Sequence, residues 1–300
     1  MNAWHRSWLF VPADDDHKLD RGRGSGADAL ILDLEDSIAA TRRPHARSLV
    51  GGVLEDRSPA DPELWVRINP VDSADALDDL VAVVRPGLAG VVVPKIRAGA
   101  DVAALGHYLE ALEARSGMPR GSVGVMAVAT ETPQVLFGLG DLIDVGERLR
   151  ALTWGAEDLA AAVGALANQD KEGRWEAPFE LARSLALHAA AAADAQAVDT
   201  IHAAFSDHDG LVASSARAAR HGFTGKLAIH PAQVPAINAA FSVSVDQVET
   251  SEAIIAAFAA APSLGVVAIA GRMYDRPHLV QAQRIVARSH RAAADAAAAP

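Results

Sequence analysis

The chain has 300 residues, half of them hydrophobic and 5% aromatic, a formal net charge of −11 and no cysteine. That is enough apolar material for one large α/β barrel or two smaller domains, and the missing cysteines exclude disulfides, thiolate metal ligands and cysteine nucleophiles. The acidic balance argues against a nucleic-acid partner, and any anionic ligand must be held by a local group of Arg and Lys.

Short apolar or β-branched runs recur along the chain, at 7–12, 29–36, 64–69, 90–95, 124–131, 151–158, 197–201 and 226–231. Stretches with helical spacing alternate with them, near 14–24, 41–55, 74–85, 100–115, 133–149, 178–193, 210–221 and 231–241. Eight alternations predict a parallel sheet closed into a (β/α)8 TIM barrel, with a doubly wound open sheet as the alternative. No GxGxxG follows the first run and no P-loop motif occurs, so nothing favours a nucleotide-binding open sheet. After residue 242 the pattern changes to a helix candidate at 246–260, an apolar run at 265–271 and a last helix at 279–290. The expected organisation is a barrel over 1–242 and, over 243–300, a C-terminal extension and lid that packs on the barrel or on a neighbouring subunit. No run is apolar enough to cross a bilayer and no signal-peptide pattern opens the chain, so a cytoplasmic protein with no membrane partner is expected.

Charged groups gather at one end of the predicted strands. Asp33, Glu35 and Asp36 close the second, Arg67 and Asn69 the third, Lys95 the fourth and Glu131 the fifth. Glu157 and Asp158 close the sixth, Asp199 lies late in the seventh, and His230 ends the eighth. In a (β/α)8 barrel these ends meet at the face that carries the active site. A buried charge is costly unless it is paired or bound to a metal, so the gathering itself points to a site. Blander readings stand beside it: Asp36 and Glu157 as helix caps, Lys95 as a rim residue, His230 as a core histidine. Two carboxylates on adjacent strand ends suit a hard cation such as Mg²⁺, and no HxH, HExxH or cysteine set supports zinc. Acids, Mg²⁺ and an arginine without a nucleophile suit enolate chemistry: carbon–carbon cleavage or formation next to a carbonyl.

Several segments then fall into a known order. RSWLFVPADDDHKLDRGRGSGADALILDLEDSI, VRINPVDS, TETPQVLF, WGAEDLAAAVGA, GKLAIHPAQV and GRMYDRPHLVQAQRI together resemble the citrate lyase β-subunit-like and malyl-CoA lyase (CoA ester lyase) family, over about residues 5 to 290. The resemblance implies a (β/α)8 barrel that assembles as a homotrimer or homohexamer. It implies Mg²⁺ on Glu131 and Asp158, and Arg67 on the thioester or oxo-acid oxygens. It implies Asp275 as acid/base on a lid that can close over a neighbour's site, and Arg6, Lys18 and Arg21 on the CoA phosphates; Glu35, from its place at the end of the second strand, is expected in the catalytic group. The partners implied are a CoA thioester and a small oxo-acid. Three departures bear on acyl and carrier specificity: VATETPQ at the Glu131 segment, three acids in PADDDH, and Tyr274 where an aliphatic residue is common.

The expected reaction is reversible cleavage of a 3-hydroxyacyl-CoA, such as citramalyl-CoA or malyl-CoA. The alternatives are a malate-synthase-like condensing enzyme with thioester hydrolysis, or a carrier-dependent citrate lyase β-type subunit that is inactive alone.

Overall fold

A computed structural model describes the backbone of residues 4–298 and the side chains of residues 4–290. The chain divides into two compact units, 1–241 and 242–300.

The first unit is a closed ring of eight parallel strands. They are β1 (Ser7–Pro12), β2 (Ala29–Asp33), β3 (Glu63–Arg67), β4 (Leu88–Val93), β5 (Gly124–Val128), β6 (Leu149–Thr153), β7 (Gln196–Asp199) and β8 (Gly225–Ala228), with β8 pairing back onto β1. Helices cover the outside, among them Asp16–Arg23, Arg43–Glu55, Asp75–Val83, Gly99–Arg115 and Ala177–Ala192. Both faces of the strands are therefore buried, which explains why they read as continuous apolar runs rather than alternating ones. Alternation still divides the core. Residues such as Leu30, Leu32, Val91 and Val93 pack under the helices, while Trp8, Ile31, Trp65, Val92 and Met126 form a separate cluster inside the ring.

The ring interior is filled by an edge-to-face pair, Trp8 and Trp65, with centroids 5.0 Å apart. Trp65 fits because β4 offers no side chain at Gly90, where a Cβ would lie 2.2 Å from its ring. At the N-terminal end of the ring, His5 meets the Glu63 carboxylate at 2.9 Å.

The strands end earlier than the sequence predicts. β2 stops at Asp33 rather than residue 36, and β6 at Thr153 rather than 158. After Asp33 the chain turns because its carboxylate accepts the backbone N–H groups of Glu35 and Ser37, at 3.0 and 3.1 Å. The predicted helix 133–149 is also broken, into Pro133–Leu136 and a 3₁₀ segment Leu139–Val145, in a stretch holding Gly138, Gly140 and Gly146. The alanine-rich stretch after Asp158 is helical, and its helix, Ala156–Val163, begins earlier than the strand reading through Asp158 allows.

The second unit starts with the helix Val245–Ala260, held at its N-terminus by a capping box of Ser244 and Gln247. An antiparallel hairpin follows, β9 (Val266–Ile269) and β10 (Arg272–Asp275), and then the helix Arg276–Ala298. Ile254, Phe258, Val267, Tyr274 and Ala282 form its small core. Among the described residues, no helix is long and apolar enough to cross a membrane.

Candidate active site

Asp33 and Arg67 end neighbouring strands in register, so their side chains meet at the C-terminal mouth of the ring. The guanidinium grips Asp33 through Nε and Nη2, both at 2.6 Å. Burial alone would raise the Asp33 pKa, but the two charge-assisted hydrogen bonds from Arg67 hold it below the usual carboxylate range. Arg67 also reaches Glu35 Oε2 at 3.0 Å and Asp36 at 3.4 Å, and lies over the Phe10 ring. The Glu35 contact has ion-pair distance without hydrogen-bond geometry, so Oε2 keeps an unfilled acceptor. Burial pushes Glu35 up to about 7, although Arg67 and Lys95 pull the other way.

Lys95, just past β4, links the acids. Its Nζ lies 2.5 Å from Glu35, 3.0 Å from Asp36 and 3.5 Å from Asp158. Its backbone sits in the left-handed region, with φ of 52°, a cost that persists only where surrounding contacts fix the conformation. Here the Lys95 N–H donates to Glu131 Oε2 at 2.6 Å. Burial lowers an ammonium pKa, but the hydrogen bonds and charges of Glu35, Asp36 and Asp158 together outweigh it and keep Lys95 above its ordinary range.

Glu131 follows β5 and is 6% exposed. Burial pushes its pKa up to about 8, aided by the charges of Asp158 and Glu35 and opposed by the Lys95 N–H. Its side chain lies against Gly155, where a Cβ would come within 2.5 Å of Glu131 Cγ. Asp158 stands in the first turn of the helix Ala156–Val163, as does Glu157, where the helix dipole favours a negative charge. Glu157 points elsewhere and accepts from Asn168 at 2.9 Å.

Among the described residues no group of three His, Cys, Asp or Glu is arranged to hold a metal ion. Glu131 and Asp158 are a pair of hard oxygen donors, and one of them is a buried acid short of counter-charge. That fits Mg²⁺, which needs one or two protein carboxylates and completes its shell with water and substrate oxygens. It does not fit a closed zinc site.

The structure brings Arg67, Glu35, Glu131 and Asp158 together and adds Asp33 and Lys95. Lys18 and Arg21 lie on the helix after β1, both exposed, with Lys18 at 3.6 Å from Asp14. Arg6 does not join them. It precedes β1, at the opposite end of the ring, and its guanidinium and backbone N–H are both held by Asp28. That pairing sets Arg6 apart from the residues gathered at the mouth. Asp199 is a correction: Val198 faces the ring interior, so Asp199 faces the helices. There it takes Lys226 at 3.0 Å, Arg183 at 3.1 Å and the Trp154 Nε1 at 2.8 Å. His230 caps the short 3₁₀ turn Pro231–Gln233 and stacks on Phe205. Asp275 ends β10 in the second unit, where its Oδ1 lies 2.5 Å from His278 Nδ1.

Residues 6–231 match the HpcH/HpaI aldolase/citrate lyase family. The citrate lyase subunit beta of Haemophilus influenzae is 32% identical over 288 residues, 95% of this chain and 96% of that protein. A (3S)-malyl-CoA thioesterase of Cereibacter sphaeroides is 31% identical over 291 residues, 96% of each chain. The crystal structure of CitE from Mycobacterium tuberculosis in complex with magnesium, acetoacetate and coenzyme A superposes with a TM-score of 0.75 at 29% identity, covering 97% of this chain and 100% of that one.

Proposed function

The chain belongs to the HpcH/HpaI aldolase/citrate lyase family and is a carbon–carbon lyase, and from that premise we propose that it cleaves, and in reverse forms, a 3-hydroxyacyl-CoA thioester. Citramalyl-CoA and malyl-CoA are the proposed substrates, giving an acyl-CoA and an oxo-acid. The observation that carries this reading is Glu131, a buried acid that feels the charge of Asp158 and whose pKa burial pushes up to about 8. Mg²⁺ on Glu131 and Asp158 is the assignment, and the CitE structure with magnesium, acetoacetate and coenzyme A supports it. Bound there, Mg²⁺ would supply Lewis-acid polarisation of the oxo-acid oxygens.

Cleavage takes the proton from the 3-hydroxyl, breaks the C2–C3 bond and leaves its electron pair on the thioester enolate, which then takes a proton at C2. Glu35, with its pKa pushed up to about 7 by burial, exchanges a proton near neutral pH and is assigned to the hydroxyl. Arg67, fixed by Asp33, supplies positive charge to the developing enolate oxygen. Protonation of the enolate is assigned to Asp275, and contact with the CoA phosphates to Lys18 and Arg21. Residues 243–300 are assigned the part of a lid, on this or a neighbouring copy of a homotrimer or homohexamer.

The test is an assay with citramalyl-CoA and malyl-CoA, with Mg²⁺ and with EDTA. EDTA-sensitive release of an oxo-acid is expected. Free CoA with an intact hydroxy-diacid would move the assignment to thioester hydrolysis, the reading that the malyl-CoA thioesterase relative favours. No turnover of free thioesters, with turnover of carrier-bound ones, would move it to a citrate lyase β-type subunit, as the Haemophilus influenzae relative suggests.

A further inference from the structure

We propose a second ligand site in the barrel unit, at the end opposite the candidate active site: a pocket for a small phosphate-bearing anion, formed by Arg57, Arg85 and Arg115. These residues line one cavity of about 690 Å³. Arg57 follows the helix Arg43–Glu55, Arg85 lies in the turn before β4, and Arg115 ends the helix Gly99–Arg115. All three segments lead into the N-terminal ends of β3, β4 and β5, whereas Lys95 and Glu131 follow C-terminal ends.

The walls are built by close contacts. Gly87, at φ of 99°, lets the turn press on the helix end, because a Cβ there would lie 2.2 Å from the Leu54 carbonyl oxygen. The Ser116 hydroxyl donates to the Val84 carbonyl at 2.7 Å and ties the third segment to the same turn.

The charges are unbalanced. Arg85 donates to Glu55 Oε1 at 2.7 Å. Arg57 and Arg115 have no ion-pair or hydrogen-bond partner among the described residues, and Arg57 Nε is buried without one. Carboxylates are not scarce in a chain with 38 Asp and Glu against 27 Lys and Arg. Three guanidiniums stand with one carboxylate and three helix C-termini, those ending at Glu55, Val83 and Arg115, worth about half a negative charge each, which leaves about half a positive charge. Guanidinium forks match phosphate oxygens, and Leu54 and Leu112 add apolar wall for the body of an organic phosphate.

Pyrophosphate and adenosine diphosphate are titrated calorimetrically into the full-length protein in EDTA, beside an Arg57→Ala/Arg115→Ala variant. Saturable binding that weakens more than about tenfold in the variant is expected, with thermal unfolding and lyase turnover unchanged. Tighter binding of pyrophosphate would make the ligand a free inorganic phosphate anion, and tighter binding of the nucleotide an organic phosphate. Absence of saturable binding at millimolar concentration, or equal binding by the variant, would overturn the proposal. The lyase assignment fails separately, through the oxo-acid assay.

Discussion

Gly155 has no room to become alanine while Glu131 stays in place, because the new Cβ would sit 2.5 Å from Glu131 Cγ. Glu131 is the side chain that must yield. Gly155→Ala is therefore expected to weaken Mg²⁺ binding at least about tenfold, the range seen when a ligand's support is lost. Magnesium titration with circular dichroism as a folding control checks this, and unchanged affinity would sink the ligand role of Glu131. Arg67→Ala is expected to lower kcat at least about 10²-fold, the scale of losing a single oxyanion donor. Near-normal turnover would remove Arg67 from the reaction. Arg67, Glu131 and Asp158 were legible because charge is costly at the end of an apolar run. The linking part of Lys95 was not, because it depends on a left-handed backbone and on three acids arriving from three other segments. Asp33 was legible as a strand-end acid, but its clamp on Arg67 follows only from strand register.

A strand buried on both faces has no alternating pattern, so its parity is hidden in the sequence. That is why Asp199 was expected at the mouth and is instead shared by Lys226, Arg183 and Trp154 among the helices. β6 reads too long because Trp154, Gly155 and Ala156 carry on the run past its last ladder pair, and β2 because nothing in Leu34-Glu35-Asp36 marks the turn that the Asp33 carboxylate makes. The inner packing between β3 and β4 gives a test at this scale. Gly90→Ala would place a Cβ 2.2 Å from the Trp65 ring in a filled interior, and overpacking of this kind costs about 1–3 kcal/mol. A urea midpoint lowered to match is expected, and a change below about 0.5 kcal/mol would mean that Trp65 moves aside freely.

The eightfold alternation made the barrel legible as a whole, because each strand-and-helix unit repeats within a short span. What the sequence leaves out is how the assembled molecule sets its own proton balance. Glu131 carries a folded pKa of about 8 against an ordinary 4.5. Between those values the native state binds the proton and the unfolded state does not, so this group removes stability as pH rises. Glu131→Gln keeps the neutral form at every pH. Without metal, the variant and the parent are expected to melt alike below about pH 4.5, with the variant gaining steadily up to about pH 8. Mg²⁺ should stabilise only the parent, and increasingly so as pH rises, because the ion displaces a proton. Melting curves across that range check both signs, and a gap that does not change with pH would refute the assigned burial effect.

The closed ring also decides where another chain can add a strand. Eight strands that pair around a circle leave no free backbone edge, while the two-stranded sheet of β9 and β10 has two. Exposed Val266 and Met273 stand on that hairpin, and unpaired N–H and C=O groups beside apolar side chains are templates for further strands. At high concentration, aggregation by strand addition should start at residues 266–275, and the barrel itself should resist it until it opens.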